Sequence, residues 1–223
     1  QPDVAVIPLL SILGSVILFM TSFLYASGTI SYPGYSAYGF YIVLVLVVEL
    51  YRKKNNPIHN WAYFLLGQIV IVLPFSLLNY ILYIETYHPL LLIAMFATIW
   101  INDTGAYLFG MTFGKHRLFE RISPKKSWEG LAGSLVFSVA TGLLLWKLEM
   151  LPFHWTHCLI LSLIISILGV VGDLTESAMK RHFGVKDTGH IMPGHGGLLD
   201  RFDGALIAMP IAIVYVLFVI FKG

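Results

Sequence analysis

Residues 172–203 read GDLTESAMKRHFGVKDTGHIMPGHGGLLDRFD and carry five carboxylates (Asp173, Glu176, Asp187, Asp200, Asp203), four cations (Lys180, Arg181, Lys186, Arg201) and three histidines. Polar groups this dense are costly next to a membrane, so they imply a chemical task, with a metal ion and phosphate groups as the candidate ligands. If the preceding apolar run continues as helix, Asp173, Glu176 and Lys180 fall at i, i+3 and i+7, on one face rising out of the bilayer. That helix should end near Gly184, leaving Lys186 and Asp187 on a loop. In PGHGGLLDRFD, Gly196 and Gly197 free the backbone to approach a ligand and present its N–H groups to an anion, with His195 between Gly194 and Gly196. Asp200 and Asp203 stand three apart, which on a helical turn points both the same way, and such oxygen donors suit Mg²⁺ when substrate phosphates complete its shell. Arg201 between them is the counter-charge or a phosphate ligand. Simple ion pairing among these acids and bases is the competing reading for any single residue. For the ensemble it does not account for a PGHGG turn beside a DRFD pair.

Two further polar stretches lie upstream. Asp103, in INDTGAYLFG, sits within an apolar run where a charged carboxylate costs at least about 2.5 kcal/mol. It either makes an interhelical hydrogen bond with Asn102 or faces a polar cavity. ISPKKSWEG follows, in which Ser123 with Pro124 marks a turn and Ser127, Glu129 and Gly130 suit a helix entry whose free N–H groups favour an anion. Lys125 and Lys126 are either topology markers or a phosphate cradle. The single cysteine, Cys158, excludes an intrachain disulfide and reads as a small buried hydrophobe. Zinc is disfavoured because His195 has no second His or Cys at ligand spacing.

The elements that must position these groups are membrane spans. The chain is 57% hydrophobic and 12% charged with a mean hydropathy of +0.79, far from the roughly 25% charge of a soluble domain. The fold class is therefore all-α, a polytopic helical membrane bundle in a single domain, and nucleic acid is excluded as a partner. Seven spans are expected, at about 4–25, 37–51, 61–84, 89–109, 131–148, 157–172 and 205–221. Pro74 should kink the third. Ala106, Gly110 and Gly114, then Gly130 and Ser134, are spaced for close helix contact. Every basic residue except Lys147 and Lys222 falls in the loops on one side, which the positive-inside rule makes cytoplasmic. Because the chain opens at Gln1, the numbering is expected to begin partway through a longer protein.

The stretch SAMKRHFGVKDTGHIMPGHGGLLDRFD, 177–203, resembles the signature of the phosphatidate cytidylyltransferases, or CDP-diacylglycerol synthases. NDTGAYLFG and SPKKSWEG resemble that family's other two characteristic stretches, in the same order and spacing. Met192 replaces the family's usual Leu, Ile or Phe, and Ser127 a common Thr. The resemblance implies transfer of CMP from CTP to phosphatidate with Mg²⁺, a second cation being left open. A metal held by Asp173, Asp200 and Asp203, with Lys180 and Lys186, would form the catalytic set. Asp103, Ser123, Lys125, Lys126, Glu129, Ser177, Arg181, Asp187, His195, Gly196, Gly197 and Arg201 would bind the substrates. The expected setting is the cell inner membrane, with the site on the cytoplasmic side and a homodimer compatible with the sequence. The alternatives are another CTP-dependent lipid transferase, such as a polyprenol kinase or archaeal-lipid cytidylyltransferase, and an ion or phosphate transporter.

Overall fold

The computed structural model describes residues 4–32, 34–84, 87–189 and 196–220. It is a helical membrane bundle built as two compact units, 1–88 and 89–223. Among the described residues, five helices are long and apolar enough to cross a membrane, and two shorter apolar helices bring the number to the seven expected.

The first unit comprises α1 (Pro8–Ala26), α2 (Tyr35–Tyr51), α3 (Pro57–Gly67) and α4 (Leu73–Leu82). A π-helical turn, Gln68–Val72, joins α3 to α4 into one span. It lies just before Pro74, whose missing N–H breaks the regular ladder, so the expected kink takes the form of a π-bulge. One end of the unit is tied by a buried polar knot: Glu49, 5% exposed, accepts from Arg52 at 2.6 Å and from Asn60 at 2.5 Å. Arg52 and Asn60 in turn bond the backbone of Ala5, so every charge in the knot has a partner.

The second unit holds all the chemistry-bearing stretches. Its spans are α5 (Pro89–Phe113), α6 (Trp128–Lys147), α7 (Trp155–His182) and α8 (Ala205–Tyr215). Between α5 and α6 the chain makes a two-stranded antiparallel hairpin, β1 (Arg117–Phe119) and β2 (Ser123–Ser127). Ser123 and Pro124 are thus not the turn expected of them; they open β2, and the turn is 120–122. Pro124 is tolerated there because the ladder is irregular, with Arg117 opposite Ser127 but Phe119 opposite Ser123.

Small residues set the spacing of these helices. A Cβ added at Gly130 of α6 would lie 2.9 Å from the Ala106 carbonyl of α5 and 3.4 Å from the Gly110 Cα, the close contact the sequence spacing implies. Farther along α6, Ser138 donates to the Ser162 carbonyl of α7 at 2.9 Å, and Ser134 meets Ser166 at 3.1 Å. In lipid, where apolar burial provides no drive between helices, such contacts and polar bonds carry the association. Ser127 caps α6 by accepting from the Gly130 amide at 3.1 Å, as its position before Glu129 and Gly130 suggests. Helix α7 runs past Gly172 to His182, and Gly184 follows at φ +70°. Both the continuation and the glycine stop agree with the sequence pattern.

Candidate functional site

The charged segment and the two upstream stretches meet at one cavity of about 740 Å³ in the second unit. Asp103 and Tyr107 of α5 line it, with Ser123, Lys125 and Lys126 of β2, Asp173 of α7, and Asp200, Arg201 and Asp203 before α8. Each element presents its groups for a local reason. On α5, Trp100, Asp103, Ala106, Tyr107 and Gly110 are spaced i−3, i, i+3, i+4 and i+7 about Asp103, one helical face. Asp103 lines the cavity, the polar-cavity alternative, while its neighbour Asn102 is fully buried.

Asp173 and Asp203 form the acidic wall. An added Cβ at Gly172 would come within 2.6 Å of the Asp203 carbonyl and 2.9 Å of the Gly204 carbonyl, so only glycine lets the backbone before α8 lie against α7. Burial, followed by the charge of neighbouring Asp173, pushes the Asp203 carboxyl up to about 6. Opposite stands Lys126, which reaches across from β2 to pair with Asp173 at 2.5 Å and to contact the Val170 carbonyl at 3.4 Å. Ser177 donates to the other Asp173 oxygen at 3.2 Å.

Asp200 has a different environment. Its Oδ1 accepts from Lys180 at 2.7 Å, and its Oδ2 accepts from the Gly197 amide at 2.7 Å and from the amide and hydroxyl of Thr188, both at 2.9 Å. Desolvation would raise its pKa, but Lys180 and these backbone and hydroxyl donors outweigh it and hold the carboxyl below its usual range. Gly196, at φ +79°, packs against it: an added Cβ would lie 2.8 Å from Oδ2. The two glycines therefore serve here to wrap the backbone around Asp200. Beneath, Lys180 also pairs with Glu176, 1% exposed, at 2.5 Å.

Asp200 and Asp203 consequently do not act as a same-facing pair. The helical turn Leu199–Arg201 is short and 3₁₀, and Asp203 already begins the entry to α8, its carbonyl accepting from Leu206. All three expected metal carboxylates line the cavity, yet among the described residues no three metal-donor side chains converge closely enough to hold an ion. Asp200 is already held by Lys180, Thr188 and Gly197, so the carboxylates that suit a divalent cation are Asp203 and Asp173, the latter paired with Lys126, and two carboxylates suffice for Mg²⁺ with phosphates bound.

Several expected residues stand away from the cavity lining. Glu129 accepts from the amides of Lys115 and His116 and from the His116 ring at 2.6 Å, closing the base of the hairpin. Arg181 donates to the Val185 carbonyl at 3.3 Å, and it, Lys186 and Asp187 are exposed. His195 lies outside the described residues. Sequence reasoning passed over Thr188, whose role depends on a fold-back with no local signature, and Trp100 and Tyr107, which the helical spacing from Asp103 could have revealed.

Matched against known proteins, residues 1–219 fit a family described as the Cytidylyltransferase family. The chain belongs to that family. Among similar members of this cytidylyltransferase family, one named phosphatidate cytidylyltransferase from Bacillus subtilis (strain 168) is 36% identical over 171 residues, 77% of this chain and 64% of the relative. Others of the same name from Staphylococcus aureus (strain COL) and Staphylococcus saprophyticus are 48% and 47% identical, each over 52% of this chain and 45% of the relative. The chain thus spans about half to two thirds of the length of the curated relatives it matches.

Proposed function

We propose that the protein transfers CMP from CTP to phosphatidate, giving CDP-diacylglycerol and pyrophosphate, at the cytoplasmic face of the cell inner membrane. The observation that carries this reading is the cavity itself, in which Lys125, Lys126 and Arg201 stand with Asp103 and Asp173 of the spanning helices α5 and α7 and with Asp203 before α8. CTP is cytosolic and the lipid phosphate lies at the interface, and the cavity is lined both by the polar strand β2 and by the spanning helices, so it can take both. The phosphatidate phosphate is already an anion near neutral pH, so its oxygen can attack the α-phosphorus of CTP without a strong general base. The bond from that phosphorus to the bridging oxygen breaks, and pyrophosphate leaves with the electron pair.

The task of the chain is then neutralisation and alignment of two anions. Lys125 and Arg201 hold phosphate oxygens, and the Lys126–Asp173 pair fixes β2 against α7 so that both walls keep their separation. Lys180 and the Gly196–Gly197 backbone act through Asp200, which they hold in place. Asp173 and Asp203 would hold Mg²⁺, whose charge would stabilise the leaving pyrophosphate. Tyr107 and Trp100 give the cavity an apolar side for the glycerol and upper acyl chains.

The decisive experiment supplies the full-length protein in vesicles with phosphatidate and CTP labelled at either the α- or the γ-phosphorus. The α label should enter the lipid and the γ label should leave as pyrophosphate. Transfer of the γ label to lipid with release of CDP would identify a lipid kinase and overturn the reading.

A further inference from the structure

The hairpin has an outer side that the reaction cavity does not use. Lys115, Arg117, Phe119, Arg121 and Trp128 line a second, shallow concavity of about 940 Å³, and Leu118 lines both this and the reaction cavity. The hairpin is thus the partition between the two. Phe119 and Trp128 are 52% and 58% exposed, although nothing in a loop of this charge requires aromatic side chains at the surface. Lys115, Arg117 and Arg121 have no carboxylate within ion-pairing distance among the described residues. Glu120 lines the same concavity, against three cations, and Glu129 at the hairpin base is occupied by His116 and two backbone amides.

We propose that this outer face docks the anionic phospholipid headgroups of the bilayer that the chain spans. The hairpin joins the end of α5 at Phe113 to the start of α6 at Trp128, and strands this short reach only about 10–17 Å. It therefore stays at headgroup depth. Topology alone accounts for cations in a loop, but not for unpaired arginines sharing a concavity with Phe119 and Trp128. Guanidinium forks bind phosphate oxygens in pairs, and aromatic rings settle at the interface with their apolar bodies toward the acyl chains. The His116–Glu129 contact keeps the hairpin base fixed to α6, so the face is presented ready-formed. The inference rests on the membrane placement of α5 and α6 and not on the reaction assigned to the inner cavity.

The test uses the full-length protein with a spin label on Ile122→Cys; the native Cys158 is 1% exposed and escapes labelling, and any cysteine outside residues 1–223 is replaced by serine. Contact of the label with membrane-dissolved oxygen is compared in phosphatidylcholine nanodiscs and in nanodiscs that also contain phosphatidylglycerol. Immersion should rise in the anionic discs and fall with added salt. Arg117→Gln with Arg121→Gln should reduce the immersed fraction by about fivefold per charge removed, while the double Lys variant should restore most of it. Equal immersion in the two lipid mixtures would overturn the proposal, as would Gln and Lys variants that behave alike. Phosphatidylglycerol is not the proposed substrate, so failure here would leave cytidylyl transfer standing, and the reverse also holds.

Discussion

Asp203 shows how one carboxylate's surroundings decide its use. Its pKa is raised from 3.8 to about 6, first by burial and then by Asp173, so the folded state prefers it protonated. The sign follows from linkage: the folded protein is favoured while Asp203 is protonated, and that advantage is lost as pH rises through about 6. Thermal midpoints of the metal-free protein should therefore decline across pH 4–7 by more than those of Asp203→Asn, and added Mg²⁺ should flatten the wild-type slope. Parallel curves for the two proteins would show that Asp203 lacks this environment. Asp200, three residues earlier, has the opposite history, since Lys180 and three further donors favour its charge. The chain spells both as aspartates in DRFD, and only the partners brought by Thr188, Gly197 and Lys180 separate a loop clasp from an open ligand.

At the scale of elements, glycines set where the carboxylates meet. Gly172→Ala would press a methyl into the Asp203 and Gly204 carbonyls, forcing α8 away from α7. Overpacking of this kind costs about 1–3 kcal/mol, and the shift should lower turnover more than tenfold through displacement of Asp203. Gly184→Ala, in open space, should instead cost only its φ strain and leave turnover near normal. Comparing melting and activity of the two variants checks the distinction. The helix starts and stops here were legible in the sequence because caps and glycine stops are local signals, as Ser127 and Gly184 show. The hairpin was not, because its short strands have no apolar alternation and its pairing depends on Glu129 drawing back Lys115 and His116.

Across the whole molecule, hydropathy predicted the spans closely, because length and apolar content alone suffice to define a crossing. The site was legible as a set of residues and not as a geometry. Asp103, Ser123, Lys125, Lys126, Asp173, Asp200, Arg201 and Asp203 do share one cavity, whereas Glu129, Arg181, Lys186 and Asp187 stand outside its lining. Charge density marks a neighbourhood, and which members face inward depends on helix faces and on the contact that brings Thr188 to Asp200. The central claim is that the acidic wall of this cavity is where CTP and phosphatidate react. Steady-state turnover of the full-length Asp173→Asn and Asp203→Asn proteins in phosphatidate-containing vesicles tests it most directly. Each should insert and fold yet lose about a thousandfold or more in CDP-diacylglycerol formation, the scale on which electrostatic stabilisers act. Turnover within about tenfold of wild type in either variant would contradict the account.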